Sequence, residues 1–259
     1  MMSHQDEARP QVTGRGSRLL NALRLDATLQ VRFLFPQIYA VVTIIYILLF
    51  RFTDLRNATA LFLPAFLFSE PGMLGFFFVA VHVFFERSQR TITAVAVTPL
   101  RPGEYISALA LASAAIATAS GVAVYVVVTG VTGLGGSDGV LALVLLALAL
   151  FLTATLHGML GLGLAAYYTD FTHFLIGSLI MLVPLTMPLV TLFGWLPHWA
   201  TVWVPSYPAV FSFKSLMVRP PDIATYFLLL VPLLIWNALA FVWVRRVFER
   251  KVRSRLETF

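Results

Sequence analysis

The side chain best placed to do chemistry within an apolar stretch of this sequence is Glu70. It lies in LFLPAFLFSEPGMLGFFF, beside Pro71 and close to Phe77. An ionised side chain at the centre of a bilayer costs about 2.5 to 3.5 kcal/mol on insertion scales, so such residues usually face a cavity or bond to a partner. One interpretation places these three residues and Asn237 along a route through the membrane or at its gate. The other makes Glu70 a structural residue bonded to a neighbouring helix such as that of Asn237.

Residues typical of catalytic sites are present, but their spacing does not fit catalysis. The five histidines include no H-E-x-x-H motif and no two histidines four residues apart, so no metal site is predicted. Residues 135–139, GGSDG, match the bare G-x-S-x-G pattern, but they join two apolar segments, which favours a plain turn. The chain has no Cys and no phosphate-binding G-x-x-x-x-G-K-[ST] motif. We therefore predict no catalytic residue, no bound metal and no cofactor in this chain.

The elements that must position Glu70 are membrane-spanning helices. The 259 residues are 59% hydrophobic and only 12% charged, which is far from the composition of a soluble domain. Apolar runs of about 20 residues fit helices, because in hydrocarbon each backbone group must be bonded within its own element. We predict an all-α integral membrane protein with six transmembrane helices, in which Gly158, Gly161 and Gly163 favour close helix packing. The predicted spans are residues 36–51, 59–85, 105–130, 140–167, 171–193 and 223–244.

The chain before the first span divides into two parts. Residues 1–16 are polar and predict a disordered cytoplasmic tail. From Ser17 to Phe35 a polar side alternates with an apolar side, which predicts an amphipathic interfacial helix, with an ordinary solvated helix as the alternative. The polar side holds Arg18, Asn21, Arg24, Thr28 and Arg32, and the apolar side Leu20, Leu23, Ala27, Val31 and Leu34. Residues 17–259 are expected to form a single transmembrane domain.

The distribution of positive charge predicts the orientation of the chain. Fourteen of the 18 Lys and Arg residues lie before the first span, in the second connection or after the last span. The other four, Arg51, Arg56, Lys214 and Arg219, lie in connections on the opposite side. An even number of spans places both termini on one side, and the positive-inside rule makes that side the cytoplasm. Membrane topology thus accounts for the net charge of +6, and no nucleic-acid partner is predicted.

Two connections carry information about function. The cytoplasmic segment 86–104, ERSQRTITAVAVTPLRPGE, begins with charge, continues with apolar residues at helical spacing and stops at Pro99 and Pro102. This pattern predicts a short helix presented to the cytoplasm. The outer segment 194–221 holds three tryptophans at intervals of four residues, followed by prolines, which predicts broken helices. These helices either anchor the fold in the membrane or form a lid over an exit.

Over nearly the whole of its length the sequence resembles the permease subunits of type-2 ABC exporters, and among them the drug (fluoroquinolone) export permeases. The resemblance rests on the amphipathic helix, on the six spans, and on FSEPGMLGFFF leading to ERSQRTITAVAVTPLRPGEY. In that family the loop after the second span runs from an acidic residue through a Thr-containing stretch to Thr-Pro-Leu and an acidic-Tyr pair. Family members often have an acidic residue and a Gly before the Thr, where this chain has Ser88, Gln89 and Arg90.

The resemblance implies that this loop is a cytoplasmic coupling helix, which docks on a separate ABC ATPase subunit. The residues implied in that coupling are Glu86, Arg87, Thr91, Thr98, Pro99, Leu100, Arg101 and Glu104. ATP and Mg are then bound by the ATPase partner, and no cofactor by this chain. A second permease half, identical or homologous, completes the exporter. The complex is expected to move drugs or other amphipathic small molecules out across the inner (plasma) membrane.

Three other functions stay open. The chain is an ion-coupled secondary transporter that uses Glu70, an ABC exporter of lipid or polysaccharide, or a membrane anchor for a signalling ATPase. A neighbouring gene for an ATPase favours the exporters and the anchor. Proton dependence that disappears in Glu70→Gln favours the ion-coupled transporter.

Overall fold

The computed structural model describes the chain in five stretches. These are residues 15–53, 59–88, 102–130, 137–217 and 223–256. Within them the chain forms ten α-helices, one π-helical turn and no β-strand, which confirms the predicted all-α fold. Most of the predicted N-terminal tail lies outside the described residues, and Arg15 and Gly16 already belong to the first helix.

Six segments of the described chain are long and apolar enough to cross a membrane. The helices are α1 Arg15–Arg32, α2 Phe35–Phe52, α3 Thr59–Ser69, the π-helical turn Glu70–Leu74, α4 Gly75–Ser88, α5 Pro102–Thr129, α6 Ser137–Ala165, α7 Phe171–Leu192, α8 His198–Thr201, α9 Tyr207–Met217 and α10 Ile223–Leu256. The six spans are Phe35–Phe52, Thr59–Ser88, Gly103–Thr129, Gly139–Ala165, Phe171–Leu192 and Ala224–Arg250. The six predicted spans are thus confirmed, and the last one runs further into the charged tail than predicted.

The outside of the helix bundle is apolar. Ile180 of α7 is 81% exposed and Leu228 of α10 is 74% exposed, and similar side chains line the outer face of α2. A surface of this kind in water would drive association, so it indicates contact with lipid. The chain is therefore a multi-pass membrane protein.

Helix α1 has three faces, where the sequence pattern predicted two. The face that packs against α5 and α2 holds Asp26 and Gln30, both of which are buried. Leu20 and Val31 of the predicted apolar side are each 56% exposed. On the polar side Asn21, Arg24, Thr28 and Arg32 are exposed as well. The buried third side was not predicted, because the sequence pattern divides α1 only into a polar and an apolar side.

A short helix fills the space between the last two spans. In α9 the side chains of Val210 and Phe213 are fully buried, and the helix packs against α3, α6, α7 and α10. Trp195, Trp199 and Trp203 in the preceding segment are each more than 75% exposed. The segment thus has the broken helices that its prolines predicted.

Helices α4 and α6 pack closely because a glycine removes the side chain between them. A Cβ atom on Gly161 of α6 would overlap the backbone carbonyl of Phe76 in α4. By contrast, a Cβ atom on Gly75 in the same interface would lie 3.6 Å from the carbonyl oxygen of Ala154, an ordinary contact. Gly161 therefore sets the distance between the two spans.

We expect Gly161→Ala to lower the stability of the folded chain by about 1 to 3 kcal/mol, the usual cost of overpacking. Gly75→Ala is the control, because it makes the same change in the same interface without the overlap. Thermal unfolding in detergent, followed by tryptophan fluorescence, gives both values. Equal unfolding temperatures for the two variants would contradict the close approach.

Candidate functional site

The second span changes its helical geometry at Glu70. The π-helical turn Glu70–Leu74 interrupts the span between α3 and α4, and Pro71 within it has no backbone N–H to donate. Single π-helical turns inside α-helices are frequent at functional sites. Glu70 is 0% exposed, so the turn directs a carboxyl group into the protein interior.

Two hydroxyl groups on neighbouring spans bond to the Glu70 carboxyl group. The Ser120 hydroxyl of α5 donates to Oε1, and the Thr43 hydroxyl of α2 lies 3.4 Å from the same atom. Thr43 and Ser120 are also bonded to each other. Glu70 Oε2 is buried and has no hydrogen-bond partner within the described residues. The Glu70 carboxyl group thus joins three spans and keeps one oxygen unpaired.

Asn237, the partner suggested by the sequence, bonds to other residues. Its Oδ1 accepts a hydrogen bond from Thr155 at 2.8 Å, and its Nδ2 donates to the carbonyls of Leu152 at 3.1 Å and Leu233 at 2.9 Å. These bonds tie α10 to α6. Glu70 is therefore bonded to neighbouring helices, as one interpretation of the sequence suggested, but these are α2 and α5 and not the helix of Asn237.

Phe77 also lies apart from the Glu70 carboxyl group. Its ring packs against those of Phe76, at 5.4 Å between centroids, and Phe174 of α7, at 6.2 Å. The structure places Glu70 and Pro71 on one turn, while Phe77 and Asn237 pack against other helices.

A second ionisable group, which the sequence reasoning did not single out, lies beside the same turn. His157 of α6 is 1% exposed, and its Nδ1 lies 2.8 Å from the carbonyl oxygen of Thr153. Its ring packs edge-on against Phe68, and a Cβ atom on Gly72 would lie 3.6 Å from Nε2. The π-helical turn therefore contains one ionisable residue, Glu70, and lies beside a second, His157.

The two ends of the predicted coupling segment are joined by a hydrogen bond. Tyr105, in the first turn of α5, donates its hydroxyl proton to Oε2 of Glu86 near the end of α4. Glu104 beside it is also buried. Between these ends, the described residues stop at Ser88 and resume at Pro102. The predicted coupling residues Thr91, Thr98, Pro99, Leu100 and Arg101 lie outside the described residues.

Arg87 connects the end of α4 to the end of α6. Its Nη1 donates to the carbonyl of Ala165 at 3.0 Å and to that of Tyr168 at 2.7 Å. Its guanidinium carbon lies 5.4 Å from the centre of the Phe84 ring. Carbonyls at a helix C-terminus have no partner in their own helix, so a cation there is stabilising.

A cavity of about 510 Å³ opens beside this arginine. Its lining residues are Val81, Phe84, Phe85, Arg87, Ser88, Thr169, Asp170 and Phe171. The wall of this cavity therefore combines phenylalanine rings with one positively charged residue, Arg87, and one negatively charged residue, Asp170.

Asp26, His82 and Glu86 form a buried group where α1 meets the end of α4. They are 4%, 0% and 4% exposed. Burial raises the pKa of Asp26 to about 7, an effect that His82 opposes and the negative charge of Glu86 increases. The sequence search considered only pairs of histidines, whereas His82 and Glu86 are four residues apart and share a helix face. A search for mixed His and carboxylate pairs would have found them.

We expect Ser120→Ala to lower the stability of the folded chain by about 1 to 3 kcal/mol, because it leaves a buried carboxyl oxygen with less hydrogen bonding. The control is Thr118→Ala on the same helix, since the Thr118 hydroxyl donates to the carbonyl of Ala114 in its own helix.

The loss of stability caused by Ser120→Ala should also be smaller when that substitution is introduced into the Glu70→Gln variant. Unfolding temperatures of the four variants in detergent test this coupling, and additive losses would show that it is absent.

Comparison with known proteins places the described fold in a family. The family model of the fluoroquinolones export permease protein family matches residues 17–256. Two relatives from Mycobacterium tuberculosis, strains CDC 1551 / Oshkosh and ATCC 25618 / H37Rv, are named fluoroquinolones export permease proteins. Each is 42% identical over 94 residues, which are 36% of this chain and 38% of the relative's length.

No solved structure matches this chain. The relatives are matched over well under half of their length, but the family model extends from α1 to the end of α10. The chain therefore belongs to the fluoroquinolones export permease protein family.

Proposed function

We propose that this chain is the membrane-spanning subunit of a drug exporter that is driven by a separate ABC ATPase. The observation that carries the proposal is the family match over residues 17–256. The sequence has no phosphate-binding motif for ATP, so in this proposal a separate ATPase subunit supplies the energy for transport. The names of the two relatives support amphipathic drugs, fluoroquinolones first, as the substrates.

The proposed point of entry for that energy is the segment from Glu86 to Glu104, which docks on the ATPase as a coupling helix. The bond between Tyr105 and Glu86 holds the two ends of this segment together. The contacts of Arg87 link the same point to α6. A displacement of the segment by the ATPase would therefore act on three spans at once.

The proposed orientation has both termini in the cytoplasm and the chain in the inner (plasma) membrane. Fourteen of the 18 Lys and Arg residues then lie on the cytoplasmic side, as the positive-inside rule requires. Helix α1 lies in the interface, with Leu20 and Val31 toward lipid and Arg24 and Arg32 toward water. Residues 17–259 form a single transmembrane domain in this arrangement. A second permease half, identical or homologous, and ATPase subunits that bind ATP and Mg complete the complex.

The first test is drug-stimulated ATP hydrolysis by the chain reconstituted in liposomes with a candidate ABC ATPase subunit. Glu86 and Arg87 are unsuitable for charge reversal, because both are bonded within the fold. Arg101→Glu reverses a charge in the coupling segment instead. We expect it to lower drug-stimulated hydrolysis about tenfold, within the usual range for a lost coupling between sites.

The control for this test is Arg51→Glu, at the opposite end of the bundle, which should leave stimulation unchanged. If the wild-type chain binds no ATPase, or if export proceeds without ATP, the proposal is wrong. If lipid or polysaccharide stimulates ATP hydrolysis and fluoroquinolones do not, the chain is an ABC exporter with a different substrate from the one proposed.

We further propose that Glu70 and the π-helical turn lie on the translocation path. The buried and unpaired Oε2 of Glu70 supports this role, because a purely structural carboxyl group would normally have both oxygens bonded. An ion-coupled transporter is the second candidate, and the position of His157 beside the same turn favours it. The two candidates differ in whether export follows ATP or a proton gradient.

Glu70→Gln distinguishes the two candidates, since an amide keeps an oxygen for Ser120 and Thr43 but cannot ionise. We expect ATP-driven export to fall about tenfold, equivalent to roughly 1.4 kcal/mol in the rate-limiting barrier, with no loss of folded protein. Glu249→Gln, which changes an exposed carboxylate on α10, is the control. Unchanged export in Glu70→Gln would make Glu70 structural, and export driven by a proton gradient without ATP would support the ion-coupled candidate.

A further inference from the structure

The buried Asp26, His82 and Glu86 have the composition and spacing of a metal-binding site. Asp26 comes from α1, and His82 and Glu86 come from the last two turns of α4. One potential ligand atom from each residue lies within 4.8 Å of the other two. The three side chains are at most 4% exposed, so water contributes little to their solvation.

The His82 ring has no hydrogen bond within the described part of the chain. Both of its nitrogens are buried without such a partner, and Nε2 lies 3.4 Å from Oε1 of Glu86. The Phe33 ring stands edge-on to it at 5.7 Å, and the Phe35 ring lies 6.2 Å away. Buried polar groups are nearly always bonded, so an imidazole held between aromatic rings and directed at a carboxylate indicates a ligand.

The orientation of Glu86 fits the same conclusion. Tyr105 donates to Oε2, which leaves Oε1 on the side of His82. Carboxylates that bind metals are commonly held in this way by a hydrogen bond from a residue outside the metal's own ligands. The three candidate ligands therefore come from two helices, and a residue of α5 orients one of them.

The charge of the group points to a divalent cation. Two carboxyl groups buried side by side, those of Asp26 and Glu86, are costly to ionise together unless a positive charge lies between them. A cation of charge two would neutralise both, which removes the cost of burying unpaired charge.

We propose that Asp26, His82 and Glu86 bind one divalent transition-metal ion, for which Zn²⁺ is the best match. An imidazole ligand disfavours Mg²⁺ and Ca²⁺, which prefer oxygen, whereas Zn²⁺ accepts His with carboxylates. Ligand atoms around a tetrahedral zinc lie about 3.4 Å apart, so closure of the site needs side-chain movements of about 1 Å. Three protein ligands leave a fourth position for water.

Such an ion would cross-link α1 to the end of α4, two residues before the described part of α4 stops at Ser88. It would fix the surface helix to the base of the proposed coupling segment. The site itself does not depend on the proposed transport function, because its ligands and their geometry belong to this chain alone.

The experiment is titration of Zn²⁺ into the full chain, purified in detergent with a tag that contains no histidine and freed of metal by a chelator. We expect one Zn²⁺ per chain, a higher unfolding temperature, and no competition from excess Mg²⁺. His82→Gln and Asp26→Asn should each weaken binding by at least about 100-fold, and Tyr105→Phe by about 10- to 100-fold, the range for loss of an orienting hydrogen bond.

The matched control is His173→Ala, which removes the exposed pair of His173 and Asp170, 2.5 Å apart. Its affinity should equal that of the wild type, and Co²⁺ in the wild type should show the visible absorption of a tetrahedral site. The proposal fails if the wild type binds no Zn²⁺, if His82→Gln binds as the wild type does, or if only His173→Ala loses binding. Should the ligand variants not fold, the wild-type titration and Tyr105→Phe decide the question alone.

Discussion

The arrangement of the spans depends on one constraint, that polar groups surrounded by hydrocarbon must find partners within the protein. Glu70 meets this constraint by accepting hydrogen bonds from α2 and α5, and Asn237 meets it by bonding to α6. Apolar side chains pack against many surfaces with similar energy, so they specify helix neighbours only loosely. The few polar side chains select which helices adjoin and at what rotation, and the Gly161 contact then sets how closely two of them approach.

The same constraint explains what the sequence could predict. Long apolar runs have only one stable form in a bilayer, so all six spans were found, and Glu70 was recognised as buried because a carboxyl group is conspicuous there. Its partners were not predicted, because the sequence does not show whether a hydroxyl group in a helix bonds to a carbonyl of its own helix or to a side chain of another helix. Thr118 donates to a carbonyl of its own helix, whereas Ser120 two residues later reaches across to Glu70.

The candidate sites near the helix ends were harder to predict, for a different reason. Asp26 lies between the polar and apolar sides of α1. A pattern that contains only a side facing water and a side facing lipid does not predict a carboxylate buried against other helices. His82 and Glu86 belong to a long apolar span, where their spacing of four residues is the only signal. The coupling role of residues 86–104 stays a prediction from the resemblance to a family, since the sequence pattern predicts a short helix but not what docks against it.

The contacts of Arg87 have a mechanical consequence. A single guanidinium group holds the carbonyls at the end of α6 and lies at the base of α4. Further into the bundle, the backbones of the two helices lie in close contact at Gly161. Because α4 and α6 are held together at two points along their length, a displacement at the Arg87 end of α4 would carry α6 with it toward the middle of the bundle.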